Sequence, residues 1–261
     1  MFDAKKYWNE RLTNNYDLQG VGDISMTRNY NKWSYAVTRK ILKRLFKKHA
    51  IGKTNMNVLD IGSGTGFVIK IWKDVGMKIT GVDISPTAVK NLKETFPDES
   101  FIEFDAGIGS IPFADNYFNC CSAASVLYHI VDDELLENAI SNIHRVLERD
   151  GIFIFSDNFL HQNNMSILHQ KCRTLNEYED ILKRNGFDIV DRVPNYVLFN
   201  DPVDARSKFF PRMWYWNTRL SKKSRFYDYL VWPLLYPFEL LLTSVMKESP
   251  AQEFMICKAI K

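Results

Sequence analysis

The chain has little with which to build a metal site or a disulfide framework. Its four cysteines form no C-x-x-C pair, and the sequence holds no set of four histidine and cysteine ligands at zinc-site spacing. That argues against structural zinc and against a cross-linked scaffold. Cys120 and Cys121 are adjacent in one apolar run and Cys257 lies in another, so these are expected core residues; Cys172 is isolated. The start, Met1-Phe2-Asp3-Ala4-Lys5-Lys6, lacks an apolar signal core. With this cysteine usage, a reducing cytoplasm is the simplest expectation. The net charge of +3 is too small to imply nucleic acid by itself. No internal repeat or low-complexity tract is visible. What is abundant is core material: at 46% hydrophobic, 261 residues suffice for one large domain, or for one domain with a substantial insertion.

The most informative stretch is Val58-Leu59-Asp60-Ile61-Gly62-Ser63-Gly64-Thr65-Gly66. It reads as a short apolar strand with an acid at its carboxyl end, followed by a glycine-rich turn that opens a helix. Phe67, Val68, Ile71, Trp72 and Val75 then recur at helical spacing, and Gly76 ends the helix. A second apolar strand ends Gly81-Val82-Asp83-Ile84-Ser85. This is a nucleoside-binding βαβ unit, in which glycines permit close backbone approach and a later acid takes ribose hydroxyls. It departs from the dinucleotide pattern G-x-G-x-x-G, whose third glycine would fall on Phe67. Asp60 stands where a pyrophosphate would approach, and its charge would repel one. A ligand with an ammonium and a sulfonium would suit that position, so a nicotinamide dehydrogenase is disfavoured.

The set Asp60, Gly62, Gly64, Gly66 and Asp83 closely resembles the class I S-adenosylmethionine-dependent methyltransferases. The resemblance covers about 55–190 and the final strand. It implies that S-adenosyl-L-methionine is the cofactor, leaving as S-adenosyl-L-homocysteine. It assigns Gly62, Gly64 and Gly66 to the methionine portion, Asp60 to the ammonium and Asp83 to the ribose hydroxyls. Ile84 would pack on the adenine face. Asp105 would accept the adenine amino group, and Ala106 would offer a backbone donor to the ring. Ala124 and Ser125 end the fourth strand, under the methionine part.

Strand and helix patterns alternate along the chain. Strands are expected at 57–61, 79–83, 101–104, 118–124 and 151–156, and helices at 65–75, 86–95 and 133–148. A further helix at about 174–184 precedes a sixth strand at 186–190, and residues 253–260 form the last strand. The fold class is α/β: a doubly wound, mostly parallel seven-stranded sheet with helices on both faces. The resemblance adds that the seventh strand is antiparallel and lies beside the fifth. Residues 1–50 form an N-terminal helical arm or lid, residues 51–192 plus 252–261 the cofactor-binding domain, and residues 193–251 an insertion between the sixth and seventh strands. In this architecture the arm lids the cofactor, which would bring Tyr7, Trp8, Tyr30 and Trp33 near it. The second arm helix, Tyr30 to Lys48, carries Trp33, Val37, Ile41 and Leu45 on one face and a basic remainder, read as a solvated face. Within the insertion, 204–242 is apolar, aromatic and basic together. It is expected to be either a pair of helices capping the acceptor pocket or an element at a membrane interface. Asp228, Glu239 and two prolines argue against a spanning helix.

Methyl transfer needs alignment, exclusion of water and, for a hydroxyl acceptor, removal of a proton. Tyr128-His129 follows the fourth strand, over the expected methyl position, so His129 is the candidate base; the competing reading is that it only shapes the pocket. The Asn/Asp-Pro-Pro-aromatic motif of amino-directed enzymes is absent, since the fourth strand gives Ala123-Ala124-Ser125-Val126. No Pro-Cys nucleophile is present, and Asp132 and Asp133 read as the N-cap and first turn of a helix rather than metal ligands. The expected function is therefore methyl transfer to a small or lipid-like acceptor at oxygen, without a metal. Nucleic acid is not the expected partner, and peripheral membrane contact stays open. The alternatives are an RNA-modifying methyltransferase and a non-catalytic S-adenosylmethionine-binding module.

Overall fold

Val58, Leu59 and Ile61 lose essentially all contact with solvent, because the strand they form has neighbours on both sides and helices on both faces. The computed structural model describes residues 2–49, 51–52 and 56–261. Its sheet strands, in chain order, are β1 (Asn57–Ile61), β2 (Lys78–Asp83), β3 (Ser100–Glu103), β4 (Phe118–Ala124), β5 (Leu147–Asp157), β8 (Phe187–Pro194) and β9 (Glu253–Ala259). A separate hairpin, β6 (Met165–Ile167) and β7 (Gln170–Cys172), falls between β5 and β8. The sheet order is β3-β2-β1-β4-β5-β9-β8. The pairings up to β5 are parallel, and β9 runs antiparallel between β5 and β8. This is the expected seven-stranded α/β sheet.

The helices are α1 (Ala4–Asn14), α2 (Leu18–Val21), α3 (Arg28–Lys48), α4 (Phe67–Lys73), α5 (Pro86–Thr95), α6 (Asp133–Val146), α7 (Leu175–Arg184), α8 (Phe209–Lys223) and α9 (Arg225–Val245). Several begin on the caps the sequence announces. Ser85 accepts from Ala88 N–H with Pro86 at the first helical position, and Asp132 accepts from Glu134 and Leu135 N–H. Several boundaries differ from expectation: α4 stops at Lys73 rather than 75, β5 already begins at Leu147, and β8 runs on to Pro194. α4 starts at Phe67 rather than residue 65, because Gly66 is left-handed at φ +78° and cannot be helical. α6 ends at Val146, not 148, because Leu147 already pairs with Phe118 as the first residue of β5. Leu135, expected in the buried face of α6, is 39% exposed, whereas Leu136, Ala139, Ile140, Ile143 and Val146 are buried. Spacing of three and four from Leu136 selects that set and leaves Leu135 at the edge of the stripe. Cys120 and Cys121 are buried in β4, as read.

α3 buries Val37, Ile41 and Leu45 against the sheet domain. Its basic side is partly used for fastening. Lys43 and Arg39 pair with Asp74, Lys48 with Asp191, and Arg44 donates to the carbonyls of Leu240 and Thr243. α9 lies along α3 and passes through Pro233 and Pro237 without breaking. The prolines remove two amide donors, yet Trp232 is fully buried among Tyr30, Phe199 and Trp214, and that packing outweighs the loss. Asp228 and Glu239 face inward. Asp228 accepts from Thr27 Oγ1 and from the Trp232 indole, and Glu239 accepts from the N–H groups of Val197 and Leu198. Among the described residues, no helix is long and apolar enough to cross a membrane.

Candidate functional site

The parallel strands β1 to β4 present their carboxyl ends together, and those ends with the loops that follow them carry the residues assigned to the cofactor and His129. At the end of β1, Asp60 is buried and lies in register with Ser122 of β4. Trp72 Nε1 donates to Ser122 Oγ at 2.9 Å, and Ser122 Oγ donates to Asp60 Oδ1 at 2.5 Å. An indole can only donate, so the one serine proton must go to the carboxylate. The other oxygen, Asp60 Oδ2, is buried without a partner among the described residues. Burial pushes the Asp60 carboxyl up to about 7 despite the serine hydroxyl, and the nearby Asp83 adds to the rise.

The turn after β1 is held by Gly62 N–H and Ser63 N–H, which both donate to Val82 O. All three of its glycines are required by geometry, as Gly66 and Gly64 illustrate. Gly66 sits at φ +78°, and a Cβ there would stand 2.5 Å from Phe96. Gly64 sits at φ +52°, and a Cβ there would meet Val21 at 2.9 Å. Asp83, buried at the end of β2, accepts from Gly64 N–H at 2.7 Å and from Ser85 N–H at 2.8 Å. Its two oxygens therefore tie the glycine turn to the start of α5, and each keeps a lone pair free. Burial raises its pKa. Ile84 follows at the turn, half-buried. Asp83 O also accepts from Phe104 N–H, which brings the loop after β3 alongside. There Asp105 Oδ1 accepts from Gly107 N–H at 2.9 Å and Ala106 is buried.

β4 ends at Ala124 and is followed by Ser125, a non-glycine residue at φ +58°, a conformation that costs on the order of 1 kcal/mol or more. It is held there by its N–H to Ser156 Oγ at 2.9 Å and by Gln252 Nε2, which donates to Ser125 Oγ. His129 closes the short turn that follows. His129 Nδ1 lies 2.9 Å from His169 O. A carbonyl cannot donate, so Nδ1 carries the proton and Nε2 keeps its lone pair. Burial lowers the His129 pKa to about 4, against the opposing pull of the His169 carbonyl. The ring is therefore neutral near pH 7.

His169 stands at the tip of the β6–β7 hairpin and was not singled out from the sequence. A lone histidine in a polar loop carries no periodic signal. The hairpin is anchored by Lys171 and Arg173 on Asp133, the first-turn acid of α6. Arg173 is itself buried and donates to Ile130 O and Val131 O.

The arm lies across the same strand ends. Asn9 Oδ1 accepts from Ser85 Oγ and Thr87 N–H, and Tyr16 Oη donates to Gly64 O at 3.1 Å. Trp8 meets the His129 ring edge-on at 4.8 Å, and Tyr7 packs on His169 at 5.1 Å. Tyr30 and Trp33, expected beside them, are elsewhere: Tyr30 packs on Trp232 and Trp33 on Tyr236, both on α9. α3 turns its aromatic residues to the insertion, which the spacing within α3 alone could not reveal. A cavity of about 560 Å³ opens beside the glycine turn between the arm, α3 and α4, lined by Tyr16, Tyr35, Arg39, Thr65, Phe67 and Lys70 among others. It contains none of the singled-out residues and touches their turn only through Thr65.

The residues present suit an S-adenosylmethionine. Asp60 Oδ2 is a buried acceptor in want of a donor, as an ammonium would be, and the glycine turn admits no side chain where Val21 now packs. Among the described residues, no cluster of side chains suited to a metal ion is found.

Residues 59–155 match the family model described as a methyltransferase domain. The ubiquinone/menaquinone biosynthesis C-methyltransferase UbiE of Campylobacter jejuni is 28% identical over 129 residues, which cover 47% of this chain and 50% of that one. The malonyl-(acyl-carrier protein) O-methyltransferase of Hamiltonella defensa is 24% identical over 136 residues, covering 52% and 50%. The chain thus spans about half the length of the curated relatives it matches. The solved (4+2)-cyclase SpnF has a TM-score of 0.58 at 17% identity, over 85% of this chain and 80% of that one. That likeness is one of fold alone.

Proposed function

With residues 59–155 belonging to the class I S-adenosylmethionine-dependent methyltransferases, we propose that this chain transfers a methyl group from S-adenosylmethionine to an oxygen of a small or lipid-like acceptor. The observation that carries the reading is the glycine turn held between two buried carboxylates, Asp60 and Asp83. When bound, the cofactor supplies an activated methyl carbon on a sulfonium leaving group. Asp60 Oδ2 takes its ammonium, Asp83 its ribose hydroxyls, and Ile84, Asp105 and Ala106 frame its adenine. Ser125 and the turn Gly62–Gly66 bound the methionine part. The arm excludes water, with Trp8, Tyr7 and Tyr16 drawn over the strand ends.

Oxygen is favoured by the state of His129. Its Nε2 is unprotonated at neutral pH and aims a lone pair away from the His169 carbonyl. A ring whose conjugate acid has a pKa of about 4 takes a proton readily only from an acidic hydroxyl, so a phenol or enol suits it better than an aliphatic alcohol, while a carboxylic acid, ionised already at neutral pH, needs no base. The relatives include both a C- and an O-methyltransferase, which leaves the target atom to the site. An RNA acceptor is less well served, since several cations of α3 are already paired with Asp74 and Asp191. The non-catalytic alternative keeps cofactor binding and drops turnover, and a cyclase of this fold is a reminder that the sheet alone does not dictate the reaction.

Titration calorimetry with S-adenosylhomocysteine tests the binding half. One-to-one binding is expected, and no binding would sink the proposal. Transfer of labelled methyl from S-adenosylmethionine to a panel of phenols, enols, carboxylic acids and amines tests the rest. Labelling of amines or carbon alone would overturn the assignment to oxygen.

A further inference from the structure

The insertion leaves one face of α9 uncovered. Phe226, Leu230, Leu234, Phe238, Leu241 and Val245 follow one another at steps of three and four, and more than half of each side chain is in water. The opposite face of the helix is the packed one, with Val231, Trp232 and Glu239 buried. Six large apolar side chains in an unbroken line along a helix differ from the isolated exposed leucine that any surface carries. α8 repeats the pattern with a charge added: Phe209, Arg212, Trp216, Arg219 and Lys223 share one exposed side. From Arg206 to Arg225 the chain holds seven lysines and arginines and no acid, and the two acids of α9 are buried inside. The exposed surface of α8 and α9 therefore combines aliphatic and aromatic side chains with charge of one sign.

We propose that α8 and α9 form a docking surface for a bilayer containing anionic lipid. The apolar line enters the interface between headgroups and acyl chains, and the cations meet lipid phosphates. Charge selects this occupant. A second copy of the chain would bring the same seven cations against these, and like charges repel. A nucleic acid would meet the cations and could stack bases on Trp216 or Phe226, but it would leave the aliphatic line of Leu230, Leu234, Leu241 and Val245 in water, where a bilayer buries it. The surface goes beyond the methyl-transfer reading and does not depend on it, since neither α8 nor α9 carries a residue of the candidate site.

The test is co-sedimentation of the full chain with vesicles of phosphatidylcholine alone or mixed with phosphatidylglycerol. Retention is expected on the mixed vesicles and much less on the neutral ones. Raising ionic strength from about 0.1 M to about 1 M, which shortens the Debye length from about 10 Å to about 3 Å, should narrow the difference. The double variant Leu234→Ser/Phe238→Ser removes only exposed apolar surface. It should lower the vesicle partition at least about tenfold while melting temperature and S-adenosylhomocysteine binding stay close to the parent's. Should that variant fail to fold, Lys222→Glu/Lys223→Glu serves in its place, with loss of the preference for anionic vesicles expected. Four outcomes overturn the proposal: no retention on mixed vesicles at low salt, partition unchanged in both variants, a dimer that Leu234→Ser/Phe238→Ser dissolves in the absence of lipid, or retention on RNA with none on vesicles.

Discussion

Ser122 Oγ stands 2.5 Å from Asp60 Oδ1 because the two residues are in register on adjacent parallel strands. The contact joins the hydrophobic core to the candidate cofactor site: Trp72, packed beneath the sheet on Phe46, donates into the same hydroxyl. Ser122→Ala would strand a buried indole N–H and leave Asp60 without its remaining hydroxyl donor at Oδ1. A stability loss of about 1–3 kcal/mol is expected by thermal or urea denaturation. A change indistinguishable from zero would mean that water replaces the serine.

Asp60 should also make cofactor binding sensitive to pH. The free protein holds this carboxyl at about 7, whereas an ammonium beside Oδ2 would favour the charged form and pull the value down. Binding near pH 6 should therefore release a proton, and affinity for S-adenosylhomocysteine should rise with pH and level off above about 7. Calorimetry in two buffers of different ionisation enthalpy counts that proton. Affinity that falls with rising pH over the same window would remove Asp60 from the ammonium contact.

Asp83→Ala should weaken S-adenosylhomocysteine binding by about 1–3 kcal/mol, through lost ribose hydrogen bonds. The same substitution also frees Gly64 and Ser85 N–H, so part of the loss is disorder of the turn. Adenine alone, which touches no ribose contact, separates the two: its affinity should change less than that of the whole nucleoside. Equal losses would assign Asp83 a purely structural part.

His129→Asn should lower turnover by about 10²–10⁴ with cofactor affinity nearly intact, if Nε2 accepts the acceptor's proton. The rate should show no ionisation of His129 between about pH 5.5 and pH 8, because its pKa is lowered to about 4. A loss below about tenfold would leave His129 as a wall of the pocket held by Trp8 and His169.

Glu239→Gln tests how the insertion is fastened. Burial raises the Glu239 carboxyl to about 7 against the amide N–H groups of Val197, Leu198 and Phe199. Its folded value lies above its unfolded one, so the folded chain binds the extra proton between about 4.5 and 7 and loses that contribution as pH rises through 7. Gln cannot titrate and turns an NH2 toward one of the amides, at a cost of about 1–3 kcal/mol. The stability gap between parent and variant should accordingly narrow from about pH 5 to about pH 8. A widening gap would show that the amides hold Glu239 ionised.

Legibility followed the range of the forces involved. Val58 to Gly66 was readable because strand period, terminal acid and glycine spacing are local, and the caps at Ser85 and Asp132 likewise involve only neighbours in sequence. The place of β9 between β5 and β8 came from the resemblance, since nothing in residues 253–260 names their partners. Three features depended on distant packing and were missed or misplaced. α9 survives two prolines because Trp232 and Glu239 are gripped by α3 and by the loop 195–199. Tyr30 and Trp33 turn from the site toward α9. His169 reaches His129 only because Asp133 captures Lys171 and Arg173 across some forty positions of sequence.

The position of β9 bears on how the chain can assemble during synthesis. β1 to β5 pair only with strands made before β9, so the glycine turn and its two carboxylates can settle while the rest is still being translated. β8 cannot: both it and the open side of β5 must wait for residues 253–259, which register with each of them. Between β8 and that closing strand the ribosome has to deliver α8 and α9, with their aromatic and aliphatic surface still unanchored to the sheet. The nascent chain therefore passes through a stage in which its greasiest helices are complete and its sheet has an unfilled slot, the stage at which a chaperone has most to shield.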